Sequence, residues 1–163
     1  PLINALDELH DFASCWEYVA LASPDLPHQE AAAALAARLA EAVPGNTLVH
    51  ADIRADNLMI DAHDRVWICD WNWPFRGAAW LDTVMLLIQA WGDGVDAEAI
   101  LGERTSTRDV PPEHIDIFLA LLAGYFFKYG AQPAPSSSPW LRAHQTWMGE
   151  AAWGWLCARR GWR

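Results

Sequence analysis

Lysine is nearly missing from this chain of 163 residues. Lys128 is the only one, and Lys and Arg together number 11 against 21 Asp and Glu, for a net charge of −10. A chain without clustered positive charge is not built for nucleic acid, whose binding comes from neutralised phosphates. The acidic balance is compatible with a cationic partner, although it commonly serves solubility. Cysteine is equally sparse: Cys15, Cys69 and Cys157 are odd in number, widely spaced and never in a C-x-x-C pair. That pattern excludes a disulfide framework or a zinc site and fits free thiols of the cytoplasm. No apolar run reaches the length of a membrane span, and no signal-peptide pattern is visible, so no membrane partner is expected. No glycine-rich phosphate loop occurs either. Gly92-Asp93-Gly94 follows a helical pattern and not a strand.

What is present makes a folded chain. Hydrophobic residues account for 53% and charged residues for 20%, which excludes disorder, and the length suits one domain over 1–163 with a real core. Apolar residues at Leu2, Ala5, Leu6, Leu9 and Phe12 predict a helix over 2–13. His10-Asp11 has the form of a phosphohydrolase metal dyad but lacks partners, so it is read as structural and not as a metal site. Residues 14–27, punctuated by Pro24 and Pro27, suggest a loose connection, and the alanine-rich run 28–43 one helix ended by Pro44-Gly45-Asn46. Pro74 and Gly77 predict irregular chain after residue 70, followed by helices over 78–91, 96–101, 112–129 and 140–160. Residues 130–139 are the one low-complexity stretch and predict a linker. The last helix carries Trp140, His144, Trp147, Ala151, Trp155 and Ala158 at helical spacing. That stripe is either core or one wall of a cation-binding pocket.

Residues 47–70 organise the rest. They predict a strand ending at His50, a polar loop over 51–57, a strand over 58–60, a turn over 61–65 and a strand over 66–69. Runs this short, bounded by polar turns, suit buried strands. Asp52, Asn57 and Asp70 then fall where strands end. Two carboxylates and an amide at the rim of a small sheet suit Mg²⁺ and the orientation of a hydroxyl, the parts that phosphoryl transfer needs. Asp82, near the start of the helix over 78–91, faces away from its apolar stripe, placed either to cap its own helix or to accept N–H bonds from a neighbouring loop.

His50-Ala51-Asp52-Ile53-Arg54-Ala55-Asp56-Asn57 matches H-x-D-x-x-x-x-N, with a strand on each side and Asp70 at the next strand end. With Trp71 and the later Trp80-Leu81-Asp82, this resembles the aminoglycoside phosphotransferase and choline kinase families, which share the protein-kinase-like fold. The resemblance implies an α+β fold, mainly α, in which a small β-hairpin carries the catalytic loop of a kinase-like C-terminal lobe. It implies an enzyme using ATP (or GTP) and Mg²⁺ to phosphorylate a hydroxyl of a small, aminoglycoside-like or amino-alcohol acceptor. Asp52 would then be the catalytic carboxylate, Asn57 and Asp70 the Mg²⁺ and nucleotide ligands, and His50 and Asp82 structural supports of the loop. Arg54 stands where such families often place a basic residue beside the transferred phosphate; pairing with Asp56 or Asp52 is the alternative. Trp71-Asn72 replaces the Phe-Gly of protein kinases, and the strand lysine and glycine-rich loop of an N-terminal lobe have no counterpart. The chain, which begins at Pro1, is therefore expected to be the C-terminal lobe of a longer phosphotransferase. A non-catalytic binding or scaffold remnant is the alternative, and a phosphohydrolase using Asp52, Asp70 and His50 a third.

Overall fold

The computed structural model describes residues 2–163. The fold is α+β and mainly helical, with eight helices and two separate two-stranded ribbons among the described residues. Its centre is α7 (Pro112–Gly130), an apolar helix that Pro112 starts without losing a needed N–H. Every residue from Ile115 to Gly124 is buried, because other helices cover it on several sides. Along it runs α8 (Leu141–Arg160), which ends on Gly161 in the left-handed conformation (φ 65°) that an achiral residue takes at no steric cost. Trp155 is fully buried and Trp140 is 80% exposed, so the aromatic stripe of α8 is core at one end and surface at the other.

The N-terminal third is more broken than its pattern predicts. α1 (Ala5–Leu9) is shorter than the expected helix over 2–13, and the side chain of Asn4 caps it by accepting the Asp7 N–H at 3.0 Å. His10 Nε2 lies 3.2 Å from Asp11 Oδ1 in an exposed contact. Residues 14–27 are not a loose connection. They contain α2 (Cys15–Ala22), whose Cys15, Trp16 and Val19 make a buried face. Tertiary contact supplies what local signals did not: Trp16 Nε1 donates to the Ala120 carbonyl of α7 at 2.9 Å. The single helix expected over 28–43 is two, α3 (Gln29–Ala36) and α4 (Leu39–Ala42). The chain bends at Arg38 (ψ 17°), whose guanidinium meets Glu41 at 2.7 Å and Glu113 of α7 at 2.8 Å. Alanine propensity alone would have run straight through, but propensity is a weak force against tertiary packing.

The strands form two antiparallel ribbons. β1 (Thr47–Val49) is antiparallel not to its neighbour in sequence but to β4 (Phe75–Gly77), with Val49 opposite Phe75. The segment expected to be irregular therefore holds a strand. Pro74 sits just before it, where its missing N–H breaks no ladder, and Gly77 lies against Gly45, where a Cβ would come within 2.3 Å of the Gly77 carbonyl oxygen. β2 (Leu58–Ile60) pairs with β3 (Val66–Ile68) as a ribbon. These two were expected to be buried and are not: Met59, Ile60, Val66 and Trp67 are each more than half exposed. A two-stranded ribbon covered on neither face cannot hide its side chains. After β4, α5 (Leu81–Gly92) buries Leu81, Val84, Leu87 and Ile88 and precedes α6 (Ala97–Glu103). No helix among the described residues is long and apolar enough to cross a membrane.

Candidate active site

The loop between β1 and β2 is held almost entirely from below. His50, buried to 1% exposure, directly follows β1, and its backbone N–H donates to Asp82 Oδ2 at 2.8 Å. The next N–H, of Ala51, donates to Asp82 Oδ1 at 3.0 Å. Both oxygens of one carboxylate are thus spent on two successive loop amides, and Asp82 does not cap its own helix through its side chain. Ala51 adopts φ 67°, a left-handed conformation that costs a non-glycine residue about 1 kcal/mol and persists only where neighbours impose it.

The His50 ring joins the loop to β3. Nδ1 accepts the Asp52 N–H at 3.2 Å, so the proton must lie on Nε2, which donates to the Cys69 carbonyl at 2.8 Å. Trp71 packs on the ring at 4.6 Å between centroids. The Cys69 N–H in turn donates to the Asn57 carbonyl at 2.9 Å, one residue before Asp70. Asn57 is 6% exposed, and its Nδ2 donates to the Asp52 carbonyl at 2.8 Å and, more weakly, toward Asp52 Oδ2 at 3.4 Å. With its NH₂ turned to Asp52, its Oδ1 remains as an acceptor.

Gln89 is a support that the sequence reading missed. From α5 its Oε1 accepts the Ala55 N–H at 3.2 Å and its Nε2 donates to the Ile53 carbonyl at 3.3 Å. The available signal was a glutamine within an apolar helix, seven residues and two turns from Asp82, hence on the same face.

Asp52, Arg54 and Asn57 come together, whereas Asp70, just after β3, has its side chain bonded to Asn72 and does not line the cavity. Arg54 Nη1 lies 3.3 Å from Asp52 Oδ1, while Nε and Nη2 hold Asp56 at 3.0 and 3.2 Å. The local pairing weighed for Arg54 is therefore made, with both acidic neighbours. Burial pushes the Asp52 carboxyl above its usual range, against the opposing pull of Arg54, Asn57 and His50. Asp70 is exposed, in the left-handed region (φ 62°), and its Oδ1 accepts from the Asn72 amide.

Among the described residues no three His, Cys, Asp or Glu side chains gather as a metal site. The oxygens of Asn57 and Asp70 nevertheless suit Mg²⁺, a hard ion that commonly takes one or two protein ligands and completes its shell with phosphate oxygens and water. Beside Asp52 opens a cavity of about 510 Å³, walled by Phe12, Tyr125, Tyr129, His144 and Met148 and reached by Asp52 and Arg54. Burial, then the Arg54 charge, depresses the His144 imidazole, and burial raises the Tyr125 phenol.

No curated protein and no solved structure matches the chain. The model of one family, described as the phosphotransferase enzyme family, matches residues 2–114, more than half of the chain and the whole of the loop with its supports. The chain belongs to the phosphotransferase enzyme family.

Proposed function

We propose that this chain is the catalytic, kinase-like C-terminal lobe of an ATP- (or GTP-) and Mg²⁺-dependent phosphotransferase that phosphorylates a hydroxyl of a small molecule. The observation that carries it is the position of Asp52. Its carboxylate stands on a loop pinned by Asp82, His50, Asn57 and Gln89, beside Asn57 and at the mouth of the 510 Å³ cavity. Rigid support of this kind is what transfer by positioning demands.

In the reaction, an acceptor in the cavity turns its hydroxyl toward Asp52, which takes up the proton as the oxygen attacks the γ-phosphorus in line. The bond from phosphorus to the β,γ-bridging oxygen breaks, and a phosphate ester and the nucleoside diphosphate leave. Asp52 then returns its proton to solvent. Arg54, once drawn from Asp56, offers a guanidinium to the transferred phosphoryl oxygens. Asn57 and Asp70 would hold Mg²⁺, which when bound neutralises charge on the phosphates. The glycine-rich loop and strand lysine that clamp nucleotide are absent from these 163 residues, and under this reading an N-terminal lobe supplies them. A cytoplasmic location goes with nucleotide use and free thiols.

The test is nucleotide binding by calorimetry with Mg²⁺, then release of ADP or GDP with a panel of alcohols, on this chain and on the complete gene product. Asp52→Asn should lower turnover by a factor of about 10² or more while the protein stays folded and still binds nucleotide. Undiminished turnover would remove Asp52 from the mechanism. A complete protein that binds no nucleotide would make the chain a non-catalytic scaffold.

A further inference from the structure

Arg54 stands between two carboxylates and makes its hydrogen bonds to the more exposed one. Its Nε and Nη2 donate to the two oxygens of Asp56 at 3.0 and 3.2 Å. Its Nη1 lies 3.3 Å from Asp52 Oδ1, longer than the roughly 2.7–2.9 Å of a charge-assisted hydrogen bond. The Asp56 side chain is 69% exposed and that of Asp52 29%. Charges attract more strongly where solvent screens them less, so a guanidinium left to itself would close on Asp52. The loop supplies a competitor. Ala55–Asn57 form a 3₁₀ turn, in which the Asn57 N–H donates to the Arg54 carbonyl at 3.0 Å and Gln89 holds the Ala55 N–H at 3.2 Å. That turn brings Asp56 back against the Arg54 side chain.

The consequence falls on Asp52. Arg54 approaches its Oδ1 at 3.3 Å, and Asn57 Nδ2 approaches its Oδ2 at 3.4 Å. Both contacts are long, and an ionised carboxylate has about four lone-pair sites, so room remains for an acceptor hydroxyl. A guanidinium turned fork-on to Asp52 would fill both oxygens with two short bonds. It would also lock Arg54 into a half-buried pair. A pair with the exposed Asp56 is weak, and an arriving phosphate, with more charge than one carboxylate, can displace it.

We propose that Asp56 is a positioning residue of the phosphotransfer site: it competes with Asp52 for Arg54. It thereby keeps the Asp52 oxygens open to the acceptor and leaves the guanidinium free to move to the transferred phosphoryl group. This rests on the phosphotransfer reading above and adds a residue that acts through Arg54.

Two measurements separate this role from a salt bridge that merely braces the loop. The first is the coupling between Arg54 and Asp52, from urea unfolding of this chain with Arg54→Ala, Asp52→Asn and both. Repeated in an Asp56→Asn background, the coupling should strengthen by about tenfold in the unfolding constant, as Arg54 bonds to Asp52. Asp56→Glu, which keeps the competing charge, should leave the coupling near that of the parent. A coupling unchanged or weakened by Asp56→Asn would overturn the assignment.

The second is ADP release from Mg²⁺-ATP by the complete protein, with water as the acceptor and then with the alcohol panel. Asp56→Asn should lower kcat by about tenfold and change the KM for ATP much less, and Asp56→Glu should restore most of the rate. In an Arg54→Ala background Asp56→Asn should do nothing further, because no guanidinium remains to be held. An equal further loss there, or an effect on KM alone, would overturn the assignment. No ADP release from the parent, with the urea coupling as expected, would count against phosphotransfer and leave the competition for Arg54 standing.

Discussion

Asp82 and Gln89 stand two turns apart on α5 and hold the two halves of one loop. Asp82 takes the N–H groups of His50 and Ala51, and Gln89 takes the N–H of Ala55 and gives one bond to the Ile53 carbonyl. Asp52 lies between these anchors. The loop is thereby fastened to a helix whose opposite face buries Leu81, Val84 and Ile88, so the site inherits the rigidity of the core.

Removing either anchor should loosen the loop by different amounts. Asp82→Ala leaves two N–H groups without an acceptor, one on the buried His50, and should cost about 3 kcal/mol in urea unfolding. Gln89→Leu abandons one N–H and should cost about 1 kcal/mol. Both should lower turnover more than they change binding of an acceptor in the cavity. A turnover loss confined to a matching loss of folded protein would show that the anchors serve stability alone.

The pH response of Asp52 has a definite sign. Its carboxyl is raised above the usual range because burial disfavours the charged form. Turnover should therefore fall on acidification through a value above that of a free aspartate. Arg54 opposes the shift, so Arg54→Ala should move the acid limb to higher pH as well as slow the reaction. For stability the sign is reversed: a raised carboxyl favours the fold in its protonated form, an advantage lost as pH rises through the folded-state value. Asp52→Asn should then unfold at higher denaturant than the parent at neutral pH and match it in acid. A parent that is the more stable at neutral pH would mean that Arg54 and Asn57 outweigh burial.

A second cluster, away from the loop, ties three helices. Arg159 of α8 meets Asp116 of α7 at 2.5 Å and Glu98 of α6 at 2.6 Å, and donates to the Pro112 carbonyl at 3.0 Å. Trp155 Nε1 also donates to Glu98, at 2.7 Å. Arg159 is 10% and Asp116 7% exposed at the side chain. Arg159→Ala takes the nearer cation from the buried Asp116 carboxylate, which keeps Arg160 at 3.2 Å, and should destabilise by about 2–3 kcal/mol, read as a lower denaturation midpoint. Asp116→Asn in the same chain should recover part of that loss, since it removes a buried charge held by one remaining partner.

The close approach of Gly45 to Gly77 admits no side chain. Gly45→Ala would place a Cβ 2.3 Å from the Gly77 carbonyl oxygen, a backbone atom that cannot swing aside. The β1–β4 ribbon must then shift, and His50 follows directly on β1. We expect loss of stability together with loss of activity, whereas Gly102→Ala, which meets nothing within 4 Å, should leave activity intact and favour its helix.

The loop was legible because its chemistry is local. His50, Asp52, Arg54 and Asn57 lie within eight residues, and the polar break between two apolar runs marks where the chain turns. The long helices α7 and α8 were legible for a similar reason, since apolar periodicity over many residues outweighs local exceptions. Partners distant in sequence were not. β1 with β4, Trp16 with Ala120 and Arg38 with Glu113 each join residues whose association no spacing announces. These are the places where a strand, a helix and a helix break departed from expectation.

The sequence by itself determined which groups the chain offers: a loop carrying Asp52 and Asn57, Asp70 after the next strand, and a single lysine placed late on an apolar helix. Tertiary structure alone decided what stands around them. It turned Asp82 and Gln89 to the loop, left Met59, Ile60 and Trp67 in the open, and set His144 on the wall of the cavity beside Asp52. The reason is physical: hydrogen-bonding and burial act through space, and residues from the N-terminal helices to α8 meet only when α7 gathers them.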